Sequence, residues 1–435
     1  LEAGFVAAGA DVLLLGPLPT PGIARLTQEF DADLGVVISA SHNRFFDNGI
    51  KFFDRSGSKL SDEVEREIEA RLSEPAITLE SQALGKAKRI DTARIRYQDF
   101  CAASLPDGVD LESLKIVFDG ANGAGYKVGP RMLANLGAEV IPVGCSPNGR
   151  NINDGCGSTH PELLELTVSA VKADVGIALD GDGDRVLMAD ENGSLIDGDQ
   201  LLFVLATARK DKGILQGPVV GTVMSNLGLE HALEARDIEF RRAAVGDRYV
   251  LELLRETGGV IGGETSGHLL ALDRASTGDG IVSALIVLEL MARSGRSLAE
   301  LRSGMEKMPQ TMINVPVSDD GRRRFTQSER IRAAVERTET ALEVPLSDVE
   351  AMRDAFEARR QAYRRVIRKE LRKQRQAAGN AVANGLPWDA ALAALTAAPA
   401  DIFGLGDGAG RIEPGSPADL VIWSGDPLEV TTWAD

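Results

Sequence analysis

Three short segments of the chain carry residues able to do chemistry. Asp180-Gly181-Asp182-Gly183-Asp184-Arg185 sets three carboxylates at alternate positions with glycines between them. Glycine lets the backbone fold tightly, so the three can wrap one hard cation, and oxygen ligands suit Mg²⁺ or Ca²⁺. A Ca²⁺ loop of the EF-hand type would use Glu191, twelfth from Asp180. Its sixth position is Arg185, however, where that loop needs glycine, and the residues before it read as a strand. A plain acidic turn would use the same residues. Ser39-Ala40-Ser41-His42-Asn43 offers Ser41 as a nucleophile or phosphate carrier, provided a neighbour helps it lose its proton. Asp47-Asn48-Gly49-Ile50-Lys51 follows, and Lys51 can stabilise phosphoryl charge. A polar turn would look the same. In Gly262-Gly263-Glu264-Thr265-Ser266-Gly267-His268, alternation predicts that Glu264, Ser266 and His268 project to one side of an extended segment. The carboxylate and hydroxyl suit sugar hydroxyls, and the imidazole can move a proton near neutral pH. A turn with one satisfied histidine would use the same residues, and is the better reading of this segment taken alone.

Weaker signals read as structure. Gly120-Ala121-Asn122-Gly123-Ala124-Gly125 lacks GxGxxG spacing and predicts a tight turn from strand to helix. Thr159-His160-Pro161-Glu162 predicts a capped helix start, with His160 structural. His231 lies in the helical run Leu229–Ala235. In Gly246-Asp247-Arg248-Tyr249, Arg248 suits either a phosphate or a salt bridge at a helix start.

The elements that must carry these loops alternate between strand and helix, the pattern of mainly parallel α/β sheets. Val12–Gly16 and Gly35–Ile38 read as buried strands of a first region. Lys115–Phe118 and Val175–Leu179 mark a second, and Val219–Val223 with Val260–Gly262 a third. Each reactive loop thus leaves a strand end, where such folds place reactive groups. Polar, Gly- or Pro-containing stretches at Ser104–Leu111 and Lys210–Gly217 place domain edges, giving 1–108, 109–213 and 214–311. Leu1–Gly16 reads as the inside of a strand–helix unit whose start is missing.

Composition limits the partners. The 435 residues suggest about three domains and carry a net charge of −17, which disfavours nucleic acid. No apolar run approaches the ~20 residues of a membrane span, and there is no basic leader. Cys101, Cys145 and Cys156 form no CxxC pair, which suits a reducing cytoplasm. Residues 351–380 are the exception, with ten Lys/Arg against three acids. Met352, Phe356, Tyr363, Ile367 and Leu371 fall near helical spacing, so a basic amphipathic helix is expected over 343–386. It would dock on an acidic body or meet a membrane surface or RNA.

Together the three loops, in this order and one per region, resemble the α-D-phosphohexomutase family over about Leu1–Leu342. The wording of Ile38–Phe53 and Asn151–His160 is similar to its phosphoglucosamine mutase branch. The resemblance implies three consecutive α/β domains with mixed or parallel sheets around a central cleft. It implies Ser41 as the phosphorylated residue, with Asp180, Asp182 and Asp184 joining Ser41 as ligands of Mg²⁺. Glu264 and Ser266 would hold sugar hydroxyls, and His268 would lie close to the proton chemistry. His42 and Lys51 would act beside Ser41, and Arg185 and Arg248 would bind substrate. The reaction implied is exchange of glucosamine 6-phosphate with glucosamine 1-phosphate through a phosphoserine and a sugar bisphosphate. A phosphomannomutase/phosphoglucomutase specificity is the alternative.

The chain departs from the family in three places. The family's N-terminal glycine-rich segment has no counterpart, and Arg44 stands where proline is usual. A fourth domain is begun at 312–342, but its phosphate-gripping loop is missing. From about residue 387 to 435 the chain resembles instead the C-terminal end of metal-dependent amidohydrolases, through Ala391–Thr396, Gly410–Gly415 and Ala418–Ile422. Those enzymes need clustered histidines, and this tail has none. The chain is therefore expected to be an impaired mutase, a non-catalytic chimeric remnant with a phosphosugar cleft, or a cleft that leaks phosphate from Ser41 to water.

Overall fold

The computed structural model describes residues 1–310, 328–330 and 333. Two compact units divide the chain, Leu1–Met308 and Pro309–Asp435. Most of the second lies outside the described residues. So do the expected basic helical segment at 343–386, the tail at 387–435, and all but four residues of the expected fourth-domain start.

Leu1–Met308 is built on two larger sheets and two small ones, in the α/β pattern expected. The five-stranded sheet runs in the order Glu139–Val143, Lys115–Asp119, Val175–Leu179, Val186–Ala189, Leu195–Ile196. Its first three strands are parallel, Val186–Ala189 runs against them, and Leu195–Ile196 is antiparallel to Val186–Ala189. Val175–Leu179 is buried at every position, the continuous apolar run of a strand covered on both faces. The four-stranded sheet runs Phe240–Ala243, Val219–Thr222, Ile261–Gly263, Leu269–Ala271, with only the last strand antiparallel.

The first region differs from expectation. Val12–Leu14 is only partly buried and pairs in parallel with Ala87–Arg89. Leu34–Ser39 belongs to a different sheet, an antiparallel hairpin with Gly49–Asp54. It alternates between buried and open, because a two-stranded hairpin has one face on the core and one away from it. Gly35 and Val37 face Phe53 and helix Thr20–Glu29, while Ile38 on the other face is 64% exposed. The turn predicted at Gly120–Gly125 is present, closed by Gly123 N–H on the Gly120 carbonyl. The helix after Thr159 begins at Glu162 behind Pro161, and no side chain caps it. The expected Thr159 cap is thus replaced by proline's fixed φ at the helix entry.

Helix Gly198–Asp211, on the N-terminal side of the edge expected at 213, packs against Ile261–Gly263 and helix Leu227–Glu234. Helix Gly280–Ser294 ties the regions together. Residues 280–291 are all buried, and it touches helix Ala93–Ala102, strands Val175–Leu179 and Val186–Ala189, and Leu269–Ala271. Asp279 caps it, accepting from the N–H groups of Ile281 and Val282 at 3.0 Å each. Its other oxygen accepts from Tyr97 Oη at 2.8 Å, and both residues are almost wholly buried.

Burial raises the Asp279 carboxyl from its ordinary 3.8 to about 6, against the hydrogen bonds from Val282, Tyr97 and Ile281 that favour its charge. The folded chain therefore holds this proton more tightly than the unfolded one. The contribution is full below pH 3.8 and is lost as pH rises through about 6. Relative to Asp279→Asn, wild type should lose on the order of 3 kcal/mol of stability across that window. Urea midpoints of both chains over a pH series check this, and a difference that stays flat with pH would refute it.

Candidate active site

The aspartate loop follows strand Val175–Leu179 directly, so the sheet fixes where it begins. Gly183 adopts φ +72°, and the α-carbon of Gly181 lies against the Ser41 carbonyl so closely that a Cβ would sit 2.4 Å from that oxygen. Glycine is required at both places for these different reasons. The loop brings Asp180, Asp182 and Asp184 together, with ligand oxygens within 4.8 Å of one another. All three are buried.

Each carboxylate has a distinct setting. Asp180 is wholly buried beside Asp184 and Asp182, which pushes its carboxyl well above the usual carboxylate range despite nearby Arg185. For Asp184, burial acts in the same upward direction, but His268 and Lys51 beside it hold the carboxyl well below its usual range. Asp182 accepts from Thr20 Oγ1 at 2.6 Å and from Lys51 Nζ at 2.6 Å. Lys51 also reaches Asp184 at 2.9 Å, and its pKa is raised: burial works against that, but the two carboxylates outweigh it. Asp182 Oδ1 and Asp184 Oδ1 are buried with no hydrogen-bond partner. Oxygen-only donors with unused buried lone pairs fit a hard divalent cation.

Ser41 stands at the end of hairpin strand Leu34–Ser39 with φ +50°, a conformation strained for a residue with a Cβ. Ser39 Oγ accepts from its N–H at 2.8 Å. Ser41 Oγ donates to Asp180 Oδ2 at 3.4 Å, which joins the serine to the aspartate cluster. His42 beside it is exposed; its partial burial, followed by nearby Arg185, lowers its pKa. Arg185 lies with Nε 4.0 Å from Asp184 Oδ1.

The third loop is not extended. Residues 264–267 form a tight hairpin turn between Ile261–Gly263 and Leu269–Ala271, closed by Glu264 N–H on the His268 carbonyl. Gly267 at φ +92° makes this reversal possible and breaks the alternation. Ser266 sits exposed at the tip, and its Oγ donates to Glu264 Oε2 at 3.4 Å. The other Glu264 oxygen accepts from Gly246 N–H at 2.9 Å. His268 is buried at the base, with Nδ1 3.7 Å from Asp184 and Nε2 3.4 Å from Asp247.

Several neighbours escape a reading of sequence alone. Asp247 pairs with Lys59 from the hairpin side, Arg248 donates to the Leu60 carbonyl at 2.6 Å, and Arg255 to Ser58 Oγ at 3.1 Å. Thr20 and Asn153 likewise reach in from elsewhere. Asp247 was visible as the neighbour of Arg248, and Asn153 lay inside a stretch of familiar wording. Nothing local marks Thr20 or Lys59.

This geometry can be set beside known proteins. Family models for phosphoglucomutase/phosphomannomutase α/β/α domains I, II and III match residues 1–76, 96–193 and 197–308. The phosphoglucosamine mutase of Thioalkalivibrio sulfidiphilus (strain HL-EbGR7) is 54% identical over 343 residues, covering 79% of this chain and 76% of that one. The chain belongs to the phosphohexomutase family, in its phosphoglucosamine mutase branch. The phosphoglucosamine mutase of Legionella pneumophila (strain Lens) is also 54% identical, over 73% of this chain and 70% of its own. A phosphoglucomutase/phosphomannomutase family protein from Burkholderia thailandensis superposes with TM-score 0.58 at 26% identity, covering 70% of this chain and 67% of that chain. An amidohydrolase family model matches residues 285–434. It starts further upstream than the tail's wording suggests, inside helix Gly280–Ser294. That helix is packed in the core of this phosphohexomutase chain. No helix among the described residues is long and apolar enough to cross a membrane.

Lys51 balances the aspartates, so Lys51→Met should leave three buried carboxylates short of a cation. Without metal the variant should lose roughly 3 kcal/mol, the scale for removing one partner of a buried pair. Added Mg²⁺ should then raise its melting temperature more than it raises that of wild type. Calorimetry with EDTA and with Mg²⁺ checks both statements; an equal response in the two chains would mean that Lys51 does not provide this balance.

Proposed function

We propose that this chain interconverts glucosamine 6-phosphate and glucosamine 1-phosphate through phosphorylated Ser41 and a sugar bisphosphate. The observation carrying this reading is the placement of Ser41 Oγ 3.4 Å from Asp180, at the edge of the buried aspartate cluster. The relatives called phosphoglucosamine mutase support the choice of sugar.

Asp180, Asp182 and Asp184, with the Ser41 oxygen, are the residues that would hold Mg²⁺. A bound Mg²⁺ neutralises phosphate charge and makes phosphorus a better target. Lys51 has its ammonium within reach of the same space and offers a second positive charge to the phosphoryl group. Arg185 and Arg248 border the site and supply further donors to phosphate. Glu264 and Ser266, at the hairpin turn, take sugar hydroxyls. His42 is the exposed imidazole next to Ser41 and is held toward its neutral form, which can accept a proton. His268 acts from behind, setting the position and charge of Asp184. Catalysis of this kind is mostly positioning and electrostatics.

Completing the cycle requires the bisphosphate to turn over while its distal phosphate stays gripped and dry. The family loop that provides this grip has no counterpart in the sequence after Leu342. Steady-state turnover should therefore be at least about 10² below that of a chimera whose residues after Leu342 are a family fourth domain. Turnover should also depend on added sugar bisphosphate. A coupled glucosamine 6-phosphate assay of both chains, with mass spectrometry of Ser41, tests this. Equal turnover would show the grip dispensable, and no phosphate on Ser41 in either chain would defeat the mutase reading.

A further inference from the structure

We infer that Asn153 is a positioning residue for Ser41, acting by clamping the backbone of the serine loop from a different sheet. This rests on the proposed role of Ser41. The carboxamide nitrogen of Asn153 donates to the Ser41 carbonyl at 2.8 Å and to the Asn43 carbonyl at 2.7 Å. Both protons of one amide are thus spent on the two carbonyls that flank His42. The serine loop has few other constraints. Asn43 N–H bonds the Ala40 carbonyl within the turn, and Ser39 Oγ takes the Ser41 N–H.

The clamp is itself rigid. Asn153 is 4% exposed, and its N–H donates to the Ala121 carbonyl at 2.9 Å, in the turn after strand Lys115–Asp119. It adopts φ +57°, a conformation that asparagine tolerates better than most residues. Its Oδ1 is buried without a hydrogen-bond partner, so the side chain serves here as a donor alone. The Ser41 carbonyl also lies against the α-carbon of Gly181. One oxygen therefore meets both the clamp and the aspartate loop. Asn153 fixes the serine relative to the carboxylates rather than merely holding its own loop closed.

The reaction that needs this is transfer from a sugar bisphosphate. Ser41 Oγ forms a bond to phosphorus, the bond from phosphorus to the sugar oxygen breaks, and the serine proton ends on that oxygen. An error of about 1 Å in the attacking oxygen can cost about 10² in rate. Asn153 touches none of the reacting atoms, so it acts through Ser41.

The test uses the full 435-residue chain with Asn153→Asp, Asn153→Gly and, as a control, Asp154→Asn. Aspartate keeps the shape and tolerates the backbone but turns acceptors toward both carbonyls. Glycine keeps the backbone conformation and removes the clamp. Single-turnover phosphorylation of Ser41 by glucosamine 1,6-bisphosphate should fall at least about 10²-fold in both variants, while half-saturation changes less than about threefold. Hydrogen exchange should quicken in residues 40–44 and stay unchanged in 175–179. The control should match wild type. Asn153→Asp or Asn153→Gly phosphorylating at the wild-type rate would overturn the inference. So would a loss that only tracks the unfolded fraction. If wild type itself takes no phosphate, the functional reading falls instead, and the exchange measurement still decides the clamp.

Discussion

Three carboxylates buried within 4.8 Å of one another are the constraint on which the rest of Leu1–Met308 depends. At an effective dielectric of about 20, each charged pair at that separation repels by roughly 3 kcal/mol. Burial adds a desolvation cost for every charge. The chain meets this partly by holding one carboxyl, Asp180, toward its neutral form. The rest is met by an ammonium and an imidazole brought from outside the loop. Lys51 comes from the hairpin of the first region, and His268 comes from the four-stranded sheet. Neither lies on the sheet that carries the aspartates. Charge compensation is therefore also assembly, because the three sheets cannot separate without exposing the imbalance.

The same logic extends outward. Thr20, at the start of helix Thr20–Glu29, gives its hydroxyl to Asp182, and its N–H bonds the Asp182 carbonyl. Asp247, at the start of helix Asp247–Thr257, sits between His268 and Lys59. Arg248 and Arg255 of that helix then reach the residues just after the hairpin. Tyr97 and Asp279 join the first region to the central helix on the far side. These polar ties, not the apolar core alone, set the distance between Ser41 and the hairpin turn at Glu264–Gly267. Apolar packing tolerates small slides, whereas a buried hydrogen bond left unmade costs about 1–3 kcal/mol.

What was legible in the sequence follows from how local each feature is. Asp180, Asp182 and Asp184 were readable because one loop carries all three and glycine between them has few other uses. Ser41 was readable because a serine leaves a strand end in recognisable wording. At Glu264–Gly267 alternation of polar residues predicts an extended segment, and the competing turn is the one that forms, because Gly267 at φ +92° reverses the chain. The first region was misread for a related reason. Val12–Leu14 and Leu34–Ser39 are both apolar, but apolar runs do not say which sheet a strand joins. The partners of the site were unreadable because they are 131 and 162 residues apart in sequence, as with Lys51 and Thr20 on Asp182. Only folding puts them side by side.

Backbone strain shows where the fold departs from local preference for the sake of the site. Seven residues other than glycine adopt positive φ in Leu1–Met308. Asp31 and Lys172 close helices, and Asp237 follows one closely, where a left-handed residue satisfies the last carbonyls. The other four are Ser41, Ala121, Asn122 and Asn153. They are connected: Asn153 bonds the Ala121 and Ser41 carbonyls, and Asn122 adjoins Ala121. Such residues cost about 1 kcal/mol or more each, except where asparagine eases it. A cost gathered in one connected patch, beneath the serine hydroxyl that meets Asp180, fits a loop shaped to hold Ser41 rather than to relax. The patch joins the hairpin to the five-stranded sheet, so the strain is sustained by the same packing that keeps the carboxylates buried.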